Sequence, residues 1–151
     1  MFGNEKELLI AAIRHYAETM NQLLMASLQD HEASLPAIID YWRTIAEHAK
    51  DETFYAGCLI VNVAVEVAPH DSVVAAEVQQ IDRKHQALFT RAIQNGQMEV
   101  ELPTHIDAEG SALMLVSLTR GLALMVRAGT DSDTLWPAVN AVLAPLMQKE
   151  R

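Results

Sequence analysis

The sequence predicts an all-α protein of about six helices, on three observations. Apolar residues recur at spacings of three, four and seven over almost the whole length, which is the period of one helical face. A residue suited to capping a helix precedes each such stretch. The Val-rich run Leu59 to Val67 could pass for a strand, but no second candidate strand exists to pair with it.

The elements follow in order. Asn4 reads as the first N-cap, with Glu7 three residues on to complete a capping box. Leu8, Leu9, Ala12, Ile13, Tyr16, Met20, Leu23 and Leu24 mark one face of a helix reaching Leu28. Ser34 caps the second helix, and Pro36 falls in its first turn, where a missing N–H costs little. Ile38, Ile39, Trp42, Ile45, Ala46 and Ala49 continue its stripe. Thr53 caps the third, which is apolar on nearly every side from Phe54 to Ala68 and is ended by Pro69. Asp71 caps the fourth, whose apolar side runs through Val74, Val78, Ile81, His85, Leu88, Phe89, Ala92 and Ile93. Gly96 is its expected C′ stop. A loop over 97–106 contains Pro103. Asp107 caps the fifth helix, which reaches about Ala128 and stops at Gly129. Asp133 or Thr134 caps the last, with Pro137 near its first turn and Leu135, Trp136, Val139, Val142, Leu143 and Leu146 on its apolar side.

Nothing divides the chain, which reads as one domain over 1–151 with no Gly/Ser linker and no internal repeat. Its charge narrows the partners. Eleven basic residues are scattered among twenty acidic ones, for a net −9. Phosphate binding needs clustered Lys and Arg, so the chain by itself is a poor match to DNA, and an anionic membrane surface is no better a partner. One cysteine, Cys58, excludes an internal disulfide and a multi-cysteine zinc site. No signal peptide is visible, and the apolar stretch Cys58 to Ala68 is shorter than the roughly 20 residues of a membrane span. A cytoplasmic location is expected.

Three stretches are more specific. Phe2-Gly3-Asn4-Glu5-Lys6-Glu7-Leu8-Leu9 resembles a signature of TetR-family transcription regulators, at the exit from the recognition helix into the regulatory domain. Gly57-Cys58-Leu59-Ile60-Val61-Asn62, with Glu66, resembles a motif common in one large subgroup of that family. Asn95-Gly96-Gln97 to Leu102, followed by Asp107-Ala108-Glu109, resembles the family's entry into its dimerisation helices. The resemblance covers almost the whole chain. It implies a homodimer of all-α subunits whose last two helices pair with their copies in a four-helix bundle. It also implies a small, largely apolar effector held inside each subunit. Family members carry a helix-turn-helix head before the Phe-Gly segment, whereas this chain starts at Met1, so operator DNA is expected to be bound only through a head absent here.

The residues can be weighed for both roles. The fifth helix is apolar on more than one face, and the last has the same excess, which a two-fold partner would cover. Leu115, Leu118, Leu122, Met125, Trp136, Val139 and Leu143 are the candidate dimer contacts. The alternative is that both helices are simply central in one bundle. For the ligand, Tyr55, Cys58, Asn62 and Glu66 fall at helical spacing on an otherwise apolar helix. Tyr16, Trp42, His48, Phe54, His85 and Phe89 could complete such a chamber from neighbouring helices. The alternative is that these polar groups meet one another, backbone or solvent. Cys58 reads as a buried, inert thiol before it reads as a sensor, since a sensor needs a lowered pKa and solvent access. The six histidines form no metal-binding pattern, and no catalytic, phosphate-binding or cofactor motif occurs. The leading expectation is therefore an effector-sensing and dimerisation domain without cofactor or metal. A dimeric interaction module with no ligand of its own is the rival, and a helical enzyme a distant third.

Overall fold

The computed structural model describes residues 2–51 and 58–148, with side chains from Asn4 onward. Among these residues there are six α-helices and no strand. They are α1 (Phe2–Leu24), α2 (Leu35–His48), α3 (Leu59–Glu66), α4 (Ser72–Met98), α5 (Ala108–Arg127) and α6 (Trp136–Leu143). Single 3-10 turns occupy Ala26–Gln29, Ala68–His70 and Ser132–Leu135.

Several caps fall where the sequence puts them. The Asp71 carboxylate accepts from the backbone N–H groups of Val73 and Val74, opening α4. Asp107 accepts from Glu109 N, opening α5. At the far end of α5, Gly129 adopts φ 96°. Its N–H reaches the Val126 carbonyl and that of Thr130 reaches Met125, the paired bonds of a Schellman stop.

Other boundaries differ from expectation, each for a physical reason. Asn4 is not an N-cap, because α1 already includes Phe2 and Gly3. An exposed Asn costs a helix interior well under 1 kcal/mol, too little to stop it there. α1 ends at Leu24 instead of Leu28, and the chain tightens into a 3-10 turn. Arg91 of α4 holds that turn by donating through Nη2 to the carbonyls of Leu28, Gln29 and Asp30. Asn95 adds bonds to the His31 and Ala33 carbonyls. The predicted start of the third helix at Thr53 and Phe54 lies outside the described residues. The described helix begins at Leu59, with Cys58 extended as its N-cap. Gly96 does not stop α4; it is buried inside the helix, where an added Cβ would come within 2.7 Å of the Leu102 side chain. The left-handed stop falls instead on Val100, at φ 61°. Asp131, not Asp133 or Thr134, caps the last segment, and it opens a 3-10 turn ahead of α6.

α4 runs through two cores. In the smaller one, Val74, Val78 and Ile81 pack with Ile13 and Ala17 of α1 and Ile60 and Val63 of α3. In the larger, Phe89, Ala92 and Ile93 pack with Leu28, Ile38, Tyr41, Leu115, Val139 and Leu146. Exposed ion pairs, Lys6–Asp71 at 2.8 Å and Arg14–Glu77 at 2.7 Å, fasten α1 along the first half of α4. α5 packs along α4 more extensively than any other pair of elements. By length and composition, α5 alone among the described helices could cross a membrane. Here it carries Arg120, which is ion-paired to α4.

Candidate functional site

Between the two cores, where α4 passes from one to the other, lies a cavity of about 120 Å³. Its walls are mostly apolar: Ala17, Met20 and Leu24 of α1, Ile45 of α2, Ile60 of α3, Leu122 and Val126 of α5, and Val139 of α6 contribute. Mostly apolar walls with a few convergent polar groups are the usual make-up of a small-molecule site.

The polar groups form one connected network. Arg120 donates from Nε and Nη2 to Asp82 Oδ1, at 3.0 and 2.7 Å. Its Nη2 also reaches His85 Nδ1 at 3.3 Å, and its Nη1 lies 3.8 Å from Cys58 Sγ. A guanidinium can only donate, so His85 Nδ1 accepts and carries no proton. The ring proton is therefore on Nε2, which donates to Asn21 Oδ1 at 2.8 Å. This neutral tautomer agrees with a His85 pKa pushed down to about 4, first by burial and then by the neighbouring Arg120 charge. Burial also works against the Arg120 charge, but Cys58, Asp82 and Tyr41 outweigh it and leave its pKa above the ordinary value. A buried guanidinium without such partners would be strongly unfavourable.

Tyr16, Tyr41, Trp42 and Trp136 complete the lining. The Tyr41 hydroxyl is 3.0 Å from Thr119 Oγ1, and Thr119 donates its one proton to the Leu115 carbonyl at 2.9 Å. Tyr41 is therefore the donor to Thr119. Burial raises the Tyr41 pKa to about 12. Burial, with Cys58 beside it, raises that of Tyr16 as well. Trp42 is 3% exposed, and its Nε1 has no hydrogen-bond partner among the described residues.

The residues singled out from sequence fall in several places. Tyr16, Trp42, Cys58 and His85 border the cavity together. Phe89 lies behind it, fully buried and edge-on to Tyr41 at 5.1 Å. His48 is outside the lining and pairs with Asp51 at 2.8 Å. Asn62 is half-buried away from the cavity, and Glu66 is exposed. Of Cys58, Asn62 and Glu66, Cys58 alone borders the cavity, from the N-cap position of α3. Phe54 and Tyr55 lie outside the described residues. Asn21, Asp82, Thr119 and Arg120 were not picked out. Arg120 did carry a signal, as a cation inside the apolar run from Leu113 to Val126. Of the side chains expected at a dimer contact, Leu115, Val139 and Leu143 are buried in the protomer's own core. Leu118 is part-buried against that same core. Leu122 and Trp136 border the cavity, and Met125 is exposed. Leu113, Met114 and Leu124, also exposed, add apolar surface to α5. Among the described residues no group of three or more His, Cys, Asp or Glu is placed to hold a metal ion.

Comparison with known proteins bears on both fold and family. The family profile described as the tetracyclin repressor-like C-terminal domain matches residues 32–142. The chain is 23% identical over 146 residues to an uncharacterised HTH-type transcriptional regulator, YezE of Bacillus subtilis, covering 96% of this chain and 75% of that one. It is 22% identical over 143 residues to the HTH-type transcriptional repressor ComR of Escherichia coli, covering 94% and 68%. The fold matches the crystal structure of a regulatory protein TetR from Rhodobacter sphaeroides with a TM-score of 0.80 at 19% identity, over 91% of this chain and 73% of that one.

Proposed function

The chain belongs to the tetracyclin repressor-like C-terminal domain family, and from that premise we propose that it is the effector-sensing and dimerisation part of a transcription regulator. The observation that carries this reading is the cavity between the two cores, apolar-walled and crossed by a network that joins α1, α4 and α5. A small hydrophobic or aromatic molecule is the expected occupant. The presence of a chamber favours this reading over that of an interaction module with no ligand of its own. Regulation follows if the effector prefers one packing of these helices over another, by an amount equal to its difference in affinity for the two.

The dimerisation half of the proposal rests on α5. Only Ala108, Ala112, Leu115 and Val116 of this apolar helix are buried within the protomer, and Leu113, Met114, Leu124 and Met125 are exposed. A second copy meeting the same face across a two-fold axis covers that surface. DNA contact belongs to a helix-turn-helix segment outside this chain, whose own charge is −9. Both curated relatives are described as HTH-type regulators.

Light scattering at tens of micromolar should give twice the 16.7 kDa of one chain. A panel of small hydrophobic compounds should contain members that raise the melting temperature, by an amount corresponding to about 2.7 kcal/mol at a hundredfold excess over Kd. A monomer that no such compound stabilises would end the proposal, and so would tight operator binding by this chain alone.

A further inference from the structure

Most polar atoms bordering the cavity are committed to strong partners. Arg120 spends its Nε and Nη2 hydrogens on Asp82 and His85, and His85 donates its one ring proton to Asn21. The Tyr41 hydroxyl donates to Thr119. The Trp42 Nε1–H is fully enclosed and meets nothing in the cavity. The Asn21 amide nitrogen and the Ser132 and Trp136 side chains have no partner among the described residues, and no two of them share an acceptor. One corner is different. The Arg120 Nη1 lies 3.8 Å from Cys58 Sγ and has no other partner among the described residues. The Tyr16 hydroxyl accepts from the Leu59 N–H and also hydrogen-bonds Cys58, so its one proton goes to the sulfur. Two good donors therefore converge on a thiol, which is a weak acceptor.

This corner belongs to the cavity wall. Tyr16, Cys58 and Arg120 are all in the lining, whereas Asp82 is not. The Nε and Nη2 edge of the guanidinium is turned to Asp82, which leaves Nη1, beside Cys58, as the end on the cavity side. An oxygen with two lone pairs matches two convergent donors better than a sulfur does. The molecule that carries it should have no net charge. Asp82 already balances Arg120, and an anion would bring an unpaired charge into a largely apolar chamber. The volume of about 120 Å³, against the roughly 150 Å³ of an engineered cavity that holds benzene, admits a body of about one ring.

We propose that Arg120 Nη1 and the Tyr16 hydroxyl form the polar anchor of the cavity, and that both leave the Cys58 sulfur to share the carbonyl oxygen of an uncharged, otherwise apolar ligand. The proposal rests on the effector-sensing reading and narrows it to one bonding corner and one ligand class. Cys58 is then a stand-in acceptor, holding the two donors in place until the ligand's oxygen takes them.

Three probes of one shape test it on the whole chain: acetophenone, α-methylstyrene, in which a CH₂ replaces the carbonyl oxygen, and benzoate. Calorimetry should show acetophenone bound about tenfold more tightly than either of the others, the worth of one net hydrogen bond. The carbonyl stretch of bound acetophenone should lie at lower frequency than in hexane, because accepted hydrogen bonds weaken the C=O bond. Two variants should then move the preference for acetophenone over α-methylstyrene in opposite directions. Tyr16→Phe removes one donor and should lower that ratio several-fold. Cys58→Ala removes the competing sulfur and should raise it. Damage to the fold would not move the ratio in opposed directions, and the probe comparison and the carbonyl stretch need no variant. Equal binding of α-methylstyrene, tightest binding of benzoate, a hexane-like stretch, or ratios that move the same way would each overturn the proposal and leave the effector-sensing reading standing. Absence of binding by all three at millimolar concentration would overturn it as well, and the melting-temperature panel then decides the effector-sensing reading on its own.

Discussion

α4 and α5 run antiparallel, pairing Asp82 with Arg120 and Gln86 with Glu109, and the two ends of this pair are built differently. At one end Phe89, Ala92 and Ile93 meet Ala112 and Leu115, all fully buried and all apolar. At the other, Asp82, His85 and Arg120 hold a polar network against an open chamber. Stability is concentrated at the dry end, where close packing of apolar groups gains most. The wet end gives up apolar burial for side chains that need partners, and buried polar groups of that kind are informative because a hydrophobic replacement would often be at least as stable. The contrast points to the wet end as the place where this chain does something other than fold.

The largest test of this contrast removes the dry end's anchor. Phe89→Ala should cost about 3–5 kcal/mol in urea unfolding, and a loss under 1 kcal/mol would mean the two ends are not so different. Acid is the next test. Unfolded His85 takes up its proton near pH 6.5, and folded His85 only near pH 4. Between those values the unfolded chain binds more protons, so the His85 contribution is full above pH 6.5 and is lost as pH falls toward 4, on the order of 3 kcal/mol in all. His85→Leu should flatten unfolding stability across that window. Arg120→Met should then cost about 2 kcal/mol, because His85 Nδ1 loses its donor and Asp82 its cation. In this variant an NMR titration should find the His85 pKa higher than about 4, since the Arg120 charge is one of the causes that depress it. The smallest effect is a gain. Val100 is an exposed β-branched residue held at φ 61°, so Val100→Gly should add about 1 kcal/mol and raise the melting temperature.

That last residue also shows where sequence reading fails. A glycine near the end of a helical stripe suggests a stop, and Gly129 is one. Gly96 is small for another reason, to let Leu102 fold back against α4. The stop at Val100 violates the residue preference for its own backbone angle and could not be read in advance. Caps with an Asp side chain, at Asp71 and Asp107, were legible because a carboxylate before an apolar stripe has one obvious use. The fold class was legible for the same kind of reason, since a 3.6-residue period over most of the chain permits little else. The cavity was harder. Tyr16, Trp42, Cys58 and His85 stand out by chemistry alone, but side chains of the same kinds at His48 and Phe89 point elsewhere. Which of them converge depends on how α1, α2 and α4 cross, and helical periodicity carries no information about crossing. Asn21 and Thr119 are ordinary helix residues that matter only through their partners, His85 and Tyr41.

The bond from His85 to Asn21 has a mechanical consequence. Asn21 sits near the C-terminal end of α1, a rod of 23 residues that is about 35 Å long at 1.5 Å per residue. A tilt of only ~5° pivoting at Asn21 would sweep the opposite tip, at Phe2, through about 2.5 Å. A small tilt of α1 is thereby geared up at a distant end of the molecule, against the packing of Ile13 and Ala17 in the smaller core and two surface ion pairs.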